Sequence, residues 1–199
     1  MVSVAPRALR NPLSLVVLGL LAEQPLHPYA MRTLMRERGH ERTVRASGAS
    51  LYDAVARLER SGLIEVHSSS RDGGRPERTT YRITKAGQTE LQVWVREGLT
   101  DLSNPQRFVA ALSFMFVLAQ QEVVALLEER TNAVSELIRS TEEGLGQALD
   151  ARVSEIFLSE ERYAQALRRA ERDWLVEFTQ QLRDRTLRWP DRSARKTAG

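Results

Sequence analysis

The stretch that decides the fold runs from residue 47 to residue 64 and reads Ser47-Gly-Ala-Ser-Leu-Tyr-Asp-Ala-Val-Ala-Arg-Leu-Glu-Arg-Ser-Gly-Leu-Ile64. Its apolar residues recur at the spacing of one helix face, which predicts a helix packed on a core. These inward positions are Leu51, Val55 and Leu58. Ser47 or Ser50 is a suitable N-terminal cap, and Gly62 is typical of the residue that ends a helix.

After this helix the apolar period changes from helical spacing to alternation, which is typical of strands. The alternating apolar or β-branched residues are Ile64 and Val66, followed by Thr79, Tyr81 and Ile83. Residues 68–78 between the two runs are polar, basic and contain two glycines. The pattern predicts a two-stranded hairpin with a long tip.

Upstream of this stretch, residues 13–22 are apolar almost all round, which predicts a buried first helix. A second helix is predicted from Pro28 to a stop at Gly39, followed by a charged connector. Thr84 is expected to cap a further helix after the hairpin. Three helices followed by a basic hairpin is the order of a winged helix-turn-helix, in which the third helix enters the major groove.

Beyond residue 100 the strand signals stop and long amphipathic patterns begin. Residues 108–118 and 121–149 predict two helices, and a last one is expected to begin at Ser154 or Ser159. The apolar stripe of the last helix consists of Tyr163, Leu167, Ala170, Trp174, Phe178 and Leu182. Such helices need each other or a partner chain to bury this surface.

The predicted fold class is therefore mainly α. We expect an N-terminal winged helix-turn-helix with a two-stranded wing over residues 1–98 and an all-helical dimerisation domain over residues 99–189. Residues 190–199 are polar and predict a disordered tail.

The charge is distributed unevenly between the two halves of the 199-residue chain. Residues 1–100 carry 15 Lys and Arg against 10 Asp and Glu, whereas residues 101–199 carry 14 against 16. The basic first half indicates an anionic partner there.

Several functional classes are disfavoured by the residues that the chain contains. It has no cysteine, and its three histidines (His27, His40 and His67) lack the spacing of metal ligands. We therefore expect no metal, no cofactor and no enzymatic activity, because no nucleophile or base is set in a catalytic pattern. The apolar run at residues 13–22 is too short for a membrane span and lacks a cleavage site, so a cytoplasmic protein without membrane contact is expected.

Five motifs in the order of this sequence resemble the PadR-type transcriptional regulators. They are Leu15–Ala22 with His27–Met31, Gly48–Tyr52 continued by Arg57–Ile64, Gly74–Pro76, Tyr81–Gly87, and Trp94. The second half resembles the longer C-terminal branch of that family by its helix layout and its Trp174 segment. The resemblance implies a bacterial cytoplasmic homodimer that binds a pseudo-palindromic operator on double-stranded DNA. It further implies a repressor that a small molecule releases.

The resemblance also implies roles for individual residues. Ser47, Ser50 and Tyr52 match the start of the family's recognition helix, where bases and phosphates are met, and Arg57 lies further along it. The wing carries Arg71, Arg75 and Arg78, next to glycines that let the hairpin tip approach the duplex.

Each of these assignments has an ordinary structural alternative. Ser50 and Tyr52 fit a helix cap and a half-buried aromatic residue, the wing arginines fit a solvated loop, and Arg57 fits an ion pair with a nearby glutamate. Four aromatic residues suggest a pocket for a small aromatic effector between the domains, but aromatic residues at helical spacing more often form a core or a dimer interface. They are Trp94, Phe108, Phe114 and Trp174.

Two hypotheses for the function follow from this pattern. The first is a homodimeric, sequence-specific repressor that a small-molecule effector releases from DNA. The alternative is a winged-helix module that binds other proteins and has no preference among DNA sequences. An arginine-rich wing favours the first, because a protein-binding winged helix has little use for it.

Overall fold

The computed structural model describes residues 9–44, 48–70 and 78–190. These residues form two compact units, one that ends at Leu118 and one that spans Ala119–Pro190. The boundary differs from the residue 98–99 junction expected from sequence. The reason is that helix Pro105–Phe114 packs against the first helix and against the helix that follows the hairpin, and so belongs to the first unit.

The first unit is a winged helix with one more helix on its C-terminal side. In chain order its elements are α1 (Pro12–Glu23), α2 (Pro28–Glu37), α3 (His40–Val44), α4 (Gly48–Arg60), β1 (Ile64–Ser70), β2 (Arg78–Ile83), α5 (Lys85–Thr100) and α6 (Pro105–Phe114). The expected mainly α fold with a two-stranded wing is confirmed. The short helix α3 occupies the segment that the sequence pattern had suggested was a connector, so α4 is the fourth helix and not the third.

The central element of this unit is α1. Asn11 caps it by accepting a hydrogen bond from the Ser14 amide at 2.9 Å, and Pro12 occupies its first turn. Every residue from Leu13 to Leu21 is buried, as the continuous apolar run predicted, and α4, α5, α6 and β2 all pack around it. This core fixes the positions of α4 and the hairpin.

Glycines with positive φ end two helices where the sequence predicted. Gly39 follows α2 with a φ of 74°, and Gly62 follows α4 with a φ of 68°. Residues with a side chain rarely adopt this conformation, so each glycine lets the chain leave its helix sharply.

The second unit is an antiparallel pair of long helices, α7 (Gln120–Asp150) and α8 (Ser159–Arg183), connected by a 3₁₀ turn at Glu155–Leu158. Four residues of the apolar pattern of α7 are buried, namely Val123, Leu127, Val134 and Ile138. Two others are not: Leu137 is 38% exposed and Leu145 is partly exposed. α8 does not bury its predicted stripe: Leu182 is buried, but Tyr163, Leu167 and Trp174 are exposed. The part of the stripe from Tyr163 to Trp174 therefore lies on the outer face of the helix pair.

Candidate nucleic-acid interface

Helix α4 has an inner face in the core and an outer face in solvent. Its buried residues are Leu51, Ala54, Val55 and Leu58. At 100° per residue, Asp53, Ala56 and Arg60 project from the opposite side of the helix. The side chains of Asp53 and Arg60 are exposed, and Ala56 is partly exposed.

Two larger side chains flank this outer line. Tyr52 is 53% exposed on one side, so about half of its surface faces solvent. Arg57 is partly exposed on the other side, and its Nε atom is buried with no hydrogen-bond partner. No ion pair of Arg57 or Arg60 with a glutamate is found among the described residues.

The base of the hairpin is anchored to α4 and α5. Ile64 pairs with Ile83 in the antiparallel ladder. Thr84 accepts a hydrogen bond from the Gly87 amide at 3.0 Å and donates one to the Gly62 carbonyl at 2.8 Å. A Cβ at Gly87 would overlap the Leu63 carbonyl oxygen, so glycine permits the close approach of α5 to the start of the wing.

Two further contacts hold the strands of the wing. Leu26, which precedes α2, forms a two-way backbone bridge with Tyr81, with N···O distances of 2.9 and 3.0 Å. Arg82 donates to Glu65 across the hairpin at 2.7 Å. The pKa of the Tyr81 phenol is raised by burial and, second, by the nearby Glu59 carboxylate, which places Glu59 on the side of α4 toward the wing.

The structure brings three of the predicted DNA-contact residues together on α4, namely Ser50, Tyr52 and Arg57. Ser50 is partly buried and lies in the first turn of α4, two residues after Gly48. Ser47, Arg71 and Arg75 lie outside the described residues. Arg78 begins β2, and only its backbone is described.

Sequence reasoning missed Asp53 on the outer line of α4. The signal was present, because residue 53 lies opposite Leu51, Val55 and Leu58 on a helical wheel. Asp53 is the one carboxylate on that line.

The aromatic residues suggested as an effector pocket occupy two environments. Trp94, Phe108 and Phe114 are buried in the first unit, and the Trp94 Nε1 donor has no hydrogen-bond acceptor among residues 9–44, 48–70 and 78–190. Trp174 is exposed on α8 and stacks on Phe178 with ring centroids 4.8 Å apart. A ligand role for these aromatic residues stays a prediction.

Two searches of the described residues gave negative results. None of the helices within residues 9–44, 48–70 and 78–190 is long and apolar enough to cross a membrane. The same ranges hold no group of three or more His, Asp or Glu placed to bind a metal ion.

Comparisons with solved structures give distant similarities. Bacillus subtilis PadR in complex with operator DNA is 18% identical with a TM-score of 0.40, over 85% of this chain and 98% of that chain. Protein smu.1604c from Streptococcus mutans UA159 is 20% identical with a TM-score of 0.40, over 82% and 96%. Bacillus subtilis PadR in complex with p-coumaric acid is 19% identical with a TM-score of 0.38, over 86% and 99%. These scores carry no argument about function.

A search of curated proteins found no match to the sequence. The profile of the transcriptional regulator PadR-like family matches residues 17–93, a range that includes α4, both strands of the wing and the Thr84 cap. The resemblance predicted from the motifs is thereby confirmed over this segment. Residues 17–93 of the chain are thus similar to the PadR-like family of transcriptional regulators.

Proposed function

We propose that the protein is a homodimeric, sequence-specific DNA-binding regulator that represses transcription from a pseudo-palindromic operator and that a small molecule releases. The observation that carries this proposal is the outer face of α4, with exposed Tyr52 and two arginines, Arg57 and Arg60, that have no carboxylate partner among the described residues. This face lies in the segment that matches a family of transcriptional regulators. A cytoplasmic location follows from this function, because the operator lies on the chromosome.

The dimensions of α4 suit the major groove. A helix with its side chains is about 10–12 Å across and the groove is about 12 Å wide. With Ala56 directed at the groove floor, Tyr52 and Arg57 on the flanks can contact the phosphates of opposite strands. Arg71, Arg75 and Arg78 of the wing would add contacts to the neighbouring backbone.

Dimerisation is supported by the outer face of α8. Tyr163, Leu167 and Trp174 are 67%, 54% and 43% exposed, and they recur at spacings of four and seven residues, as in a helix–helix seam. Covering this stripe with the same stripe of a second copy gives a two-fold dimer. Such a dimer matches a pseudo-palindromic operator whose half-sites are about 34 Å apart.

Release by an effector requires differential binding. A small molecule weakens operator binding only if it prefers a dimer whose two α4 helices are held away from the one-turn spacing. Addition of small aromatic compounds to a preformed complex, followed by fluorescence anisotropy, tests this part. A saturable loss of anisotropy is expected, and its absence across a broad set would contradict effector release.

The DNA-binding part is tested by charge removal. Arg57→Ala and Arg60→Ala are each expected to weaken binding to promoter DNA by about 5- to 150-fold, since one charge-assisted contact contributes about 1–3 kcal/mol. Arg139→Ala is the matched control, because Arg139 is an exposed α7 arginine that pairs with Glu136 at i,i−3 and Glu143 at i,i+4.

Fluorescence anisotropy with labelled DNA measures all three variants. Equal binding by the α4 variants and the Arg139 variant would contradict the proposal. Retained dimerisation with no binding to any DNA would instead favour a protein-binding module.

The dimer is tested by introducing a charge on the stripe of α8. Leu167→Lys is expected to convert the dimer to a monomer, because it buries an unpaired cation in the seam. Asn132→Lys adds the same charge on the exposed side of α7 and should leave the dimer intact. Sedimentation equilibrium distinguishes the two, and a Leu167→Lys dimer of unchanged affinity would exclude α8 as the interface.

A further inference from the structure

We propose that Asp53 selects a cytosine in each half-site by accepting a hydrogen bond from the exocyclic N4 amino group. This inference rests on the proposed function and names the base that the same helix recognises. It assigns a specificity role to the one carboxylate on the outer line of α4.

The position of Asp53 supports a base contact. It projects opposite the buried Leu51, Val55 and Leu58, so it points where the groove floor would lie when α4 is docked. The small side chain of Ala56, the next residue on the same line, leaves room for a close approach. Asp53 is also placed in the N-terminal half of α4, the part of a recognition helix that reaches base edges.

Within the residues that the structure describes, no contact accounts for the presence of Asp53. No hydrogen bond or ion pair of Asp53 is found in the described part of the chain, although Arg57 lies one turn further along α4. Asp53 also lies beyond the first turn of α4, so the helix dipole does not stabilise its carboxylate there.

The chemistry of a carboxylate then restricts its target. Phosphates repel it, so in a DNA groove a carboxylate is tolerated only where a base donor compensates. Two bases present a donor in the major groove, cytosine through N4 and adenine through N6. Adenine N6 lies between two acceptors, its own N7 and the O4 of the paired thymine, and both repel a carboxylate. Cytosine N4 has such an acceptor on one side only, the O6 of the paired guanine. Cytosine is therefore the favoured base.

The variant Asp53→Asn tests this assignment with almost no change of shape. An asparagine pairs with adenine N6 and N7 in a bidentate manner, so the preference at one position of each half-site should change from cytosine to adenine. Loss of the carboxylate should also raise affinity for DNA of unrelated sequence. Glu59→Gln is the matched control, since it removes the same charge from α4 on the side toward Tyr81.

The experiment begins with selection of binding sites from a random DNA library by the wild-type full-length protein. Anisotropy titrations follow on the selected site and on every single-base change in it, for wild type, Asp53→Asn and Glu59→Gln. For wild type we expect about tenfold or greater discrimination in favour of cytosine at one position. Asp53→Asn should abolish or reverse this discrimination, and Glu59→Gln should retain it.

The outcomes separate this inference from the proposed function. If the wild-type protein enriches a consensus and Asp53→Asn keeps every base preference, the assignment of Asp53 is overturned and the proposed function stands. Selection of no consensus by the wild-type protein would overturn the proposed function.

Thermal unfolding of the variants is expected to match wild type, because Asp53 is exposed. The conservative variant Asp53→Glu supplies a second test: it should keep a carboxylate-specific preference for cytosine, and acquisition of the adenine preference would overturn the assignment.

Discussion

In the first unit α1 buries every residue from Leu13 to Leu21, whereas the helix pair of the second unit buries Arg130, Gln165 and Thr179 between α7 and α8. The second unit also exposes much of its aromatic surface, including Phe157 at 80%. Apolar burial drives folding in proportion to area, so the first unit has a core of its own. The helix pair also buries apolar residues such as Val123, Leu127 and Leu175. It mixes polar residues with them and leaves an apolar stripe outside, which is the arrangement expected of a unit completed by a second copy.

The largest expected difference is between equal truncations in the two units. Leu18→Ala is expected to lower the free energy of unfolding by about 2–5 kcal/mol, because Leu18 is fully buried and leaves a cavity. Leu167→Ala should have little effect on the unfolding of the dissociated chain and should instead weaken association. Urea denaturation at two protein concentrations measures the free energy of unfolding of both variants. An equal loss for Leu18→Ala and Leu167→Ala that does not depend on protein concentration would contradict the contrast.

The polar interior of the second unit is tested at its ion pair. Arg130, with a side chain 3% exposed, donates to Glu171 at 2.6 Å, and the Glu171 side chain is 32% exposed. Glu171→Ala removes this carboxylate from a buried guanidinium and should cost about 2–3 kcal/mol of unfolding free energy. Glu177→Ala, at an exposed position on the same helix, is the control. A loss no larger than that of the control would show that the pair does not stabilise the helix contact.

Glycine replacements should have opposite signs in the two units. A Cβ at Gly19 would overlap the Phe114 ring in the packed core, whereas a Cβ at Gly144 on α7 meets nothing within 4 Å. Gly19→Ala is expected to destabilise by about 1–3 kcal/mol through overpacking. Gly144→Ala should stabilise by up to about 1 kcal/mol through helix propensity. Thermal melts of the two variants measure the signs, and destabilisation by Gly144→Ala would indicate that a partner uses this space.

The smallest expected effect concerns acid sensitivity of the first unit. Burial, and second the charge of Arg38, lowers the pKa of His40, whose ring lies 5.5 Å from that of Phe114. Below an unfolded pKa of about 6.5 the unfolded chain binds the proton more readily than the folded chain, so the free energy of unfolding falls as pH decreases. His40→Gln should reduce this dependence and His67→Gln, at an exposed strand position, should not. Urea titrations at several pH values measure the free energy of unfolding. An equal pH dependence for wild type and His40→Gln would contradict the role of His40 in acid sensitivity.

Much of the first unit was predictable from the sequence because local signals agreed with the tertiary fold. The apolar run of α1, the alternation around Tyr81 and the cap at Thr84 each determined one element. Helix α3 was missed because its five residues are too few to display a period.

The second unit shows where periodicity stops being informative. The most apolar stripe of α8 contains Tyr163, Leu167 and Trp174, yet the face packed on α7 contains Gln165 and Thr179. Gln165 is accommodated there because its amide donates to the Ile138 carbonyl at 2.7 Å. A pattern identifies an apolar face but does not say whether the same chain covers it. The same is true of Asp53 in the candidate site. The helical pattern places it on the outer face of α4, but the pattern does not say what that face contacts.

Binding of the full-length wild-type protein to the promoter beside its own coding region tests the central claim most directly. Fluorescence anisotropy would compare that DNA with a shuffled control at about 50 and 200 mM salt. We expect a preference for the promoter on the order of 10³ and a loss of affinity of about 10³–10⁵ between the two salt concentrations, as for 6–10 phosphate contacts. Equal, weak binding to both DNAs with almost no dependence on salt would contradict the account.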